Sequence, residues 1–537
     1  MKNLKIIKKD PLRFLISGPA GSGILQLGEI LSSALNSAGY FTQVYPEYPS
    51  RIRGGDNNIQ IVVSSKPQIA LSGKMDVILT MDEILKKAHS SELIPGGTIL
   101  SSDDLKLFEL EPMKSNPIVK NAFFAGLIWK ICLQDEAILF SMIKKILQGK
   151  YVDLNLEAAH LGFQTETATQ YKIKSARGKI VSKTGNEQFA SSALDAKVEY
   201  ASIYPMTPIT SLLAFLAKTK IKMLIPEDEI FAAISTLGAS YAGHRALTAT
   251  SGGGFCLMGE AIGFSSMAEI PLVVILGQRT GPSSGMATYS SQADLNFAIN
   301  SSHGEGQKIV FAPGDLAEIS QLTQTAFNLA DKFQIPVIIL TDKFLSESIF
   351  SSAKAELDQI KIKIDRGKKT NLKKEYSRYA DCKDGISPRA YPGDVAHLTN
   401  SYEHDEHGFS IDDSETRERM VLKRSRKIKN LPKGYSVFGK KTASKVIVSW
   451  GSTKIPILEF IFENKQYKFL HINRVWPFDE NIKAELAGAK QIAVVENNST
   501  GQMARIIESK MHVRVKSLLK DDGRPFFKED LEKIKKL

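Results

Sequence analysis

The side chains best suited to chemistry lie between Tyr204 and Thr288. YPMTPIT (204–210) sets Thr207 between two prolines, and PEDEI (226–230) groups Glu227, Asp228 and Glu229 at a helix start. ATSGGGF (249–255) holds a glycine triplet, and GQRTGPSSGMAT (277–288) carries Arg279 and Thr288 in a glycine-rich loop. Two apolar runs, IPLVVILG and the stretch entering YPMTP, read as buried parallel strands because turn residues bound them. Ligands of such sheets sit beyond the carboxyl ends of the strands. Those ends carry hydroxyls, glycines and an arginine, so the chemistry is expected there. The competing reading of the three acids is that they complement a helix dipole. For Arg279 it is pairing with a structural acid such as Asp294.

Two further motifs stand near the N-terminus. A strand at 14–16 enters GPAGSGI (18–24), and an amphipathic helix begins near Ile24. Gly21 and Gly23 fit neither the dinucleotide fingerprint nor the GK[ST] phosphate loop. The turn presents backbone N–H groups to a phosphate, or it is a plain tight turn. In EYPSRIRGG (47–55), Arg51 and Arg53 point to one side of an extended segment. Two guanidiniums beside a glycine turn suit a phosphorylated ligand, or they are solvated arginines of a hairpin.

The elements that must hold these motifs are strands alternating with helices. The fold class expected is α/β, in three α/β domains. The expected boundaries are 1–172, 173–372, a charged connecting region 373–440, and 441–537. Residues 226–243 read as a helix with one small-residue face (Ala232, Ala233, Gly238, Ala239, Ala242, Gly243). KVIVSWGS (445–452), FLHINRVWPF (469–478) and QIAVVENN (491–498) read as the last strands. YEHDEHG (402–408) resembles a metal cluster in type only, since consecutive residues rarely converge on one ion; a solvated loop is expected.

Composition sets limits. The chain has 537 residues, 43% of them hydrophobic and 24% charged, enough for several large cores. Its three cysteines, Cys132, Cys256 and Cys382, are far apart and form no CxxC pair. A zinc site or iron–sulfur cluster held by this chain alone is therefore not expected, and cysteine usage suits the cytoplasm. The N-terminal apolar stretch leads into a glycine loop rather than a signal peptide, and no run is long enough to span a bilayer. The net charge of +12 raises nucleic acid as a partner. The lysines, however, are densest at 361–374 and 423–445, where they read as solvated linkers. Anionic small molecules or an acidic protein are the expected partners.

Taken together, the motifs resemble the fused gamma–alpha chain of the 2-oxoacid:ferredoxin oxidoreductases, the 2-oxoglutarate branch above all. GPAGSGI and EYPSRIRGGDN resemble the gamma domain, with Gly21-Ser22-Gly23 where the family commonly has GQG. GNEQFA, YPMTP, EDEIFAAISTLGASYAGHRALTATSGGGF and EIPLVVILGQRTGPSSGMAT resemble the alpha subunit's pyrimidine-type thiamine diphosphate domain. DGISPRAYPG and VVENNSTGQMARII resemble the C-terminal region, a transketolase-C-terminal-like domain.

The resemblance implies CoA-dependent oxidative decarboxylation of a 2-oxoacid, 2-oxoglutarate to succinyl-CoA, with reduction of ferredoxin. It implies thiamine diphosphate shared with a beta subunit, and coenzyme A as a substrate. Magnesium and an iron–sulfur cluster would sit on that beta subunit, which would carry the GDG–N motif and cluster cysteines missing here. The assembly would be a heterodimer or a dimer of heterodimers. By the same resemblance Glu229 is the carboxylate against the aminopyrimidine nitrogen. Arg279, Thr207 and Thr288 hold the substrate, and Pro205, Met206, Ser251, Gly252, Gly253 and Gly254 line the cofactor. Arg51, Arg53, Gly21 and Gly23 contribute to the coenzyme A site. The alternatives are a pyruvate-preferring or broad-specificity member, or a noncatalytic regulator that binds coenzyme A or a nucleotide.

Overall fold

A computed structural model describes residues 4–49, 55–67, 69–147, 149 and 151–537. The chain forms three large sheets and a two-stranded ribbon of Lys5–Lys8 with Thr169–Lys172. The first sheet runs, edge to edge, Leu93–Ser101, Met75–Thr80, Leu12–Pro19, Asp56–Ser64, Phe41–Glu47, Ile349–Ala353 and Ile180–Thr184. Its last two strands come from far along the chain, so a segment expected in the second unit completes the first sheet.

The second sheet runs Lys222–Leu224, Tyr200–Ser202, Ala246–Ser251, Leu272–Gln278, Pro336–Asp342, Ile309–Phe311 and Arg474–Trp476. All but the last pair are parallel. Leu272–Gln278 is buried throughout, as a central parallel strand covered on both faces requires. Tyr435–Gly439, Tyr467–Ile472, Lys445–Trp450, Gln491–Glu496 and Lys516–Leu519 make the third sheet. The stretch 469–478, expected as one strand, divides at Asn473. Its second half crosses to pair antiparallel with Ile309–Phe311 and ties the third unit to the second.

The charged region differs from expectation. Ser414–Arg426 is a helix, and Lys423 within it and Lys427 just after it are buried, not solvated. Each ammonium lies 2.6 Å from the carboxylate of Glu269, which is wholly buried. Burial would raise the Glu269 carboxyl, but Lys427 and Lys423 hold it well below the usual carboxylate range. Burial pushes Lys427 down to about 7 against the pull of Glu269. A buried pair needs its partner, so a helix rich in Lys and Arg is fixed to the turn preceding strand Leu272–Gln278. His404 is likewise buried. Its ring lies 3.8 Å from that of Tyr379, and Nδ1 faces the Tyr402 carbonyl at 2.8 Å. The loop expected to be solvated is therefore anchored in the protein at His404, while Tyr402 and His407 remain exposed. Asp331 fastens residues 365–389 through Arg245 (2.8 Å), Arg366 (3.0 Å) and Arg389 (3.1 Å).

Candidate active site

The three acids of PEDEI separate by position. Asp228 caps helix Glu229–Tyr241, its carboxylate accepting from the Phe231 N–H at 2.8 Å. Glu227 is exposed. Glu229, first in the helix, turns inward, is only 4% exposed, and its Oε1 has no hydrogen-bond partner. An unpaired buried carboxylate oxygen is costly, so this atom is set up to meet a ligand group. The glycine triplet follows strand Ala246–Ser251 and closes against it. A Cβ on Gly254 would stand 2.3 Å from both Glu229 Oε1 and Thr250 Oγ1, and one on Gly252 would stand 2.8 Å from Asp294 Oδ2. Gly253 faces open space, while Ser251 is buried with its hydroxyl unpartnered. The triplet thus brings backbone close to Glu229 at Gly254 and leaves space open at Gly253.

Arg279 extends strand Leu272–Gln278 at its carboxyl end. Its Nη1 donates to the Thr207 carbonyl at 3.0 Å, so the guanidinium and the YPMTP turn are joined. Gly277 permits this, since a Cβ there would press on Ile209 at 2.7 Å and Pro208 at 3.0 Å. Asn186, in GNEQFA, holds the same turn by donating to the Pro208 carbonyl at 2.8 Å. Met206 and Thr250 lie in contact, sulfur to hydroxyl, at 4.0 Å, and Pro205 is exposed beside them. No ion pair links Arg279 and Asp294 among the described residues, but their charges act on each other. Burial lowers the Arg279 guanidinium, which Asp294 counters, and burial pushes the Asp294 carboxyl up to about 6.

Thr288 stands apart from this group. Its hydroxyl donates to the Pro49 carbonyl at 3.2 Å, joining the 280–289 loop to the first sheet. Arg51 and Arg53 lie outside the described residues. The glycine turn is joined to Gly55, whose carbonyl accepts from the Ala20 N–H at 2.8 Å. Gly21 and Gly23 adopt φ of 83° and 81°, which side chains resist, and Gly21 faces open space. Ser22, Asn57, Asn58, Ser102 and Asn121 each leave a buried polar atom unpartnered at this end of the sheet. The structure therefore gathers two clusters, one around Glu229 and Arg279 and one around Gly21, linked through Thr288 and Pro49.

A 2-oxoacid:ferredoxin oxidoreductase alpha subunit of Aeropyrum pernix is 30% identical over 96% of this chain and 96% of its own length. This chain belongs to the 2-oxoacid:ferredoxin oxidoreductase alpha subunits. Residues 191–423 of this alpha subunit match the family described as "Pyruvate flavodoxin/ferredoxin oxidoreductase, thiamine diP-bdg". Residues 13–165 match "Pyruvate ferredoxin/flavodoxin oxidoreductase". A 2-oxoglutarate synthase subunit KorA of Methanothermobacter marburgensis is 30% identical, covering 59% of the alpha subunit and 88% of that protein. The fold matches, with a TM-score of 0.91 and 26% identity, a solved 2-oxoglutarate:ferredoxin oxidoreductase from Magnetococcus marinus with 2-oxoglutarate, coenzyme A and succinyl-CoA bound; it covers 98% of this chain and 100% of that one.

The alpha subunit is thus one part of an oxidoreductase whose subunit naming implies a beta partner. No described helix is long and apolar enough to cross a membrane. Sequence reasoning overlooked Asn186 and Thr250. A helix-opening asparagine in GNEQFA was the available signal for the first, but its partner, Pro208, is 22 residues away.

Proposed function

We propose that this alpha subunit, with a beta subunit, oxidatively decarboxylates 2-oxoglutarate in the presence of coenzyme A. The products are succinyl-CoA and carbon dioxide, and the two electrons released pass to ferredoxin. The observation that carries this reading is the buried, unpartnered Glu229 Oε1 beside the open face of Gly253. These residues fit thiamine diphosphate, whose aminopyrimidine nitrogen needs one carboxylate in a dry pocket. When bound, the cofactor supplies the nucleophilic carbon that attacks the keto group.

Glu229 exchanges the proton at the ring nitrogen, and Asp228, already spent as a cap, does not compete. Ser251–Gly254, Pro205 and Met206 line the cofactor's approach. Arg279 orients the substrate carboxylate and Thr207 donates to the reacting oxygens; Thr288 joins it only by releasing the Pro49 carbonyl. Pairing with that carboxylate must stay modest, because decarboxylation removes its charge. The Asp294 charge offsets part of the field at Arg279 in the same direction, and its burial limits that offset. The Gly21 cluster, with Arg51 and Arg53, receives the phosphates of coenzyme A; its unpartnered polar atoms support a ligand there.

Helix Glu229–Tyr241 turns Ala232, Ala233, Thr236, Leu237 and Ser240 inward, whereas Gly238 of the expected small-residue face points to open space. Its outer face keeps Ile230, Phe231 and Ile234 exposed, next to Ile225 and Leu257. An apolar face this close to the site is what a beta subunit would cover. Magnesium and the iron–sulfur cluster belong, in this reading, to that subunit, since three separated cysteines cannot ligate a cluster. The relatives matching over full length are named for 2-oxoacids in general, which favours broad specificity as the second reading. The test is copurification with the beta subunit, followed by viologen reduction on a panel of 2-oxoacids. A clear preference for 2-oxoglutarate supports the first reading and even turnover supports the second. A stable complex inert to every 2-oxoacid overturns both.

A further inference from the structure

The first sheet carries a second opening at the end remote from its glycine turn. Strand Leu12–Pro19 reaches the turn at Pro19, and its other end, Leu12, pairs with Val63. At ~3.3 Å per residue the two ends lie roughly 23 Å apart. A groove of about 880 Å³ opens at the Leu12 end, between the first and third sheets. Phe438, Leu458, Ile461 and Phe462 form one wall and Pro67 and Ile69 the other. Phe462 is 56% exposed, large for an apolar ring.

Lysines and acids both line the groove, but they differ in how they are paired. Lys66 and Lys465, from opposite walls, place their ammonium groups 4.1 and 4.0 Å from the Phe462 ring centre, and Lys440 stands nearby. Two of the groove's acids are offset by cations and the third is hydrogen-bonded to serines. Asp10 accepts from the Ser64 hydroxyl and the Ser65 N–H. Glu459 and Glu463 both pair with Lys528, at 3.2 and 2.5 Å. Among the described residues none of the three rim lysines has a carboxylate partner; with Lys528 and Arg13, which lies 3.6 Å from Glu459, they outnumber the three carboxylates, so the field left in the groove is positive.

We propose that this groove binds a free long-chain carboxylate, its hydrocarbon chain along the phenylalanine-bearing wall and its head group on the rim lysines. Charge complementarity selects an anion, and the wall selects a chain. A short 2-oxoacid would leave most of the volume empty, since pockets of ~300–1,000 Å³ hold drug-sized ligands. A nucleotide fits poorly, because the ammonium groups already occupy the Phe462 face and no free carboxylate remains to read a base. The two walls belong to different sheets. They are already joined by the Ala70 N–H to Glu459 at 2.6 Å and the Lys528 N–H to the Leu71 carbonyl at 2.8 Å. A bound chain therefore staples the first sheet to the third, away from the chemistry around Glu229.

The test is titration of the purified alpha–beta enzyme with cis-parinaric acid, a fluorescent long-chain carboxylate, below its micelle concentration. Saturable binding at one site per alpha chain, displaced by oleate, is expected. Lys66→Glu with Lys465→Glu should weaken it by about tenfold or more, as loss of two exposed charge contacts predicts. Phe462→Ser, on the surface and without change of net charge, removes the ring of the apolar wall and should weaken it as well. Viologen-coupled turnover without the ligand should be unchanged in both variants. Absence of saturable binding, or affinity unaltered by both variants, overturns the proposal. So does displacement by AMP but not by oleate. Sedimentation with phosphatidylglycerol vesicles without binding of the free acid would assign the groove to a membrane surface and overturn it too.

Discussion

Replacing Arg279 by Lys separates the planar fork from its charge. One arm of the guanidinium is committed, with Nη1 donating to the Thr207 carbonyl at 3.0 Å. The remaining N–H groups are left for an incoming carboxylate. A lysine keeps the positive charge that faces Asp294 but has a single ammonium, which cannot hold the turn and the substrate together. The variant loses at least one charge-assisted hydrogen bond, ~1.5–3 kcal/mol. At about 1.36 kcal/mol per decade that is roughly 10- to 150-fold in kcat/KM for 2-oxoglutarate. The assay is viologen reduction by the alpha–beta enzyme at saturating coenzyme A, with retained thiamine measured as thiochrome. Thiamine retention should match the parent, because Glu229 and the glycine triplet do not touch the lost bond. Near-normal kcat/KM with thiamine bound would refute the reasoning and place the carboxylate on another residue. A parallel loss of thiamine would make Arg279 a structural support instead.

Three further outcomes are expected. Glu229→Gln keeps the shape of the side chain but cannot exchange the proton, so deuterium exchange at C2 of bound thiamine, followed by NMR, should slow by about 10²–10⁴; an unchanged rate would move the role elsewhere. Replacing both Arg51 and Arg53 by Ala should raise the coenzyme A concentration needed for half-maximal turnover while sparing CoA-independent decarboxylation, and unaltered saturation would make them surface arginines. Glu269→Gln strands two buried ammonium groups, costing about 3–5 kcal/mol, and should speed amide hydrogen exchange in helix Ser414–Arg426. The cost should shrink with rising pH. Lys427 has its folded value lowered to about 7 from 10.5, so between those values the unfolded chain holds a proton the folded site sheds, and this group's contribution to stability rises with pH. In the parent, Glu269 acts in the other window: its depressed carboxyl stabilises above the unfolded value of 4.5 and loses that contribution as pH falls toward its folded value. Identical exchange in the Glu269 variant and the parent would remove the lock from the account.

Local sequence was enough for the elements and the neighbourhood of the site. Strands such as LVVILGQ and the turn–helix starts at Ile24, Gly185 and Glu229 were readable because burial, caps and glycine turns act over a few residues. The motifs of YPMTP, SGGGF and GQRTG also placed the chemistry at strand ends, since alternation of strand and helix dictates a parallel sheet. Among Glu227, Asp228 and Glu229, three adjacent acids, the resemblance alone singled out Glu229; the structure adds the physical difference, burial against Gly254 for Glu229, a cap for Asp228 and exposure for Glu227. Burial of Lys423 and Lys427 required the structure, since their surroundings in sequence are strongly polar. Their counter-charge is Glu269, more than 150 residues earlier, and no local spacing records an ion pair closed by the tertiary fold. Strands Ile349–Ala353 and Ile180–Thr184 joined the first sheet for a related reason: pairing depends on which edge is free once the core has packed. Periodicity along the chain states which face of a strand is apolar, and only the assembled sheets decide which neighbour covers it.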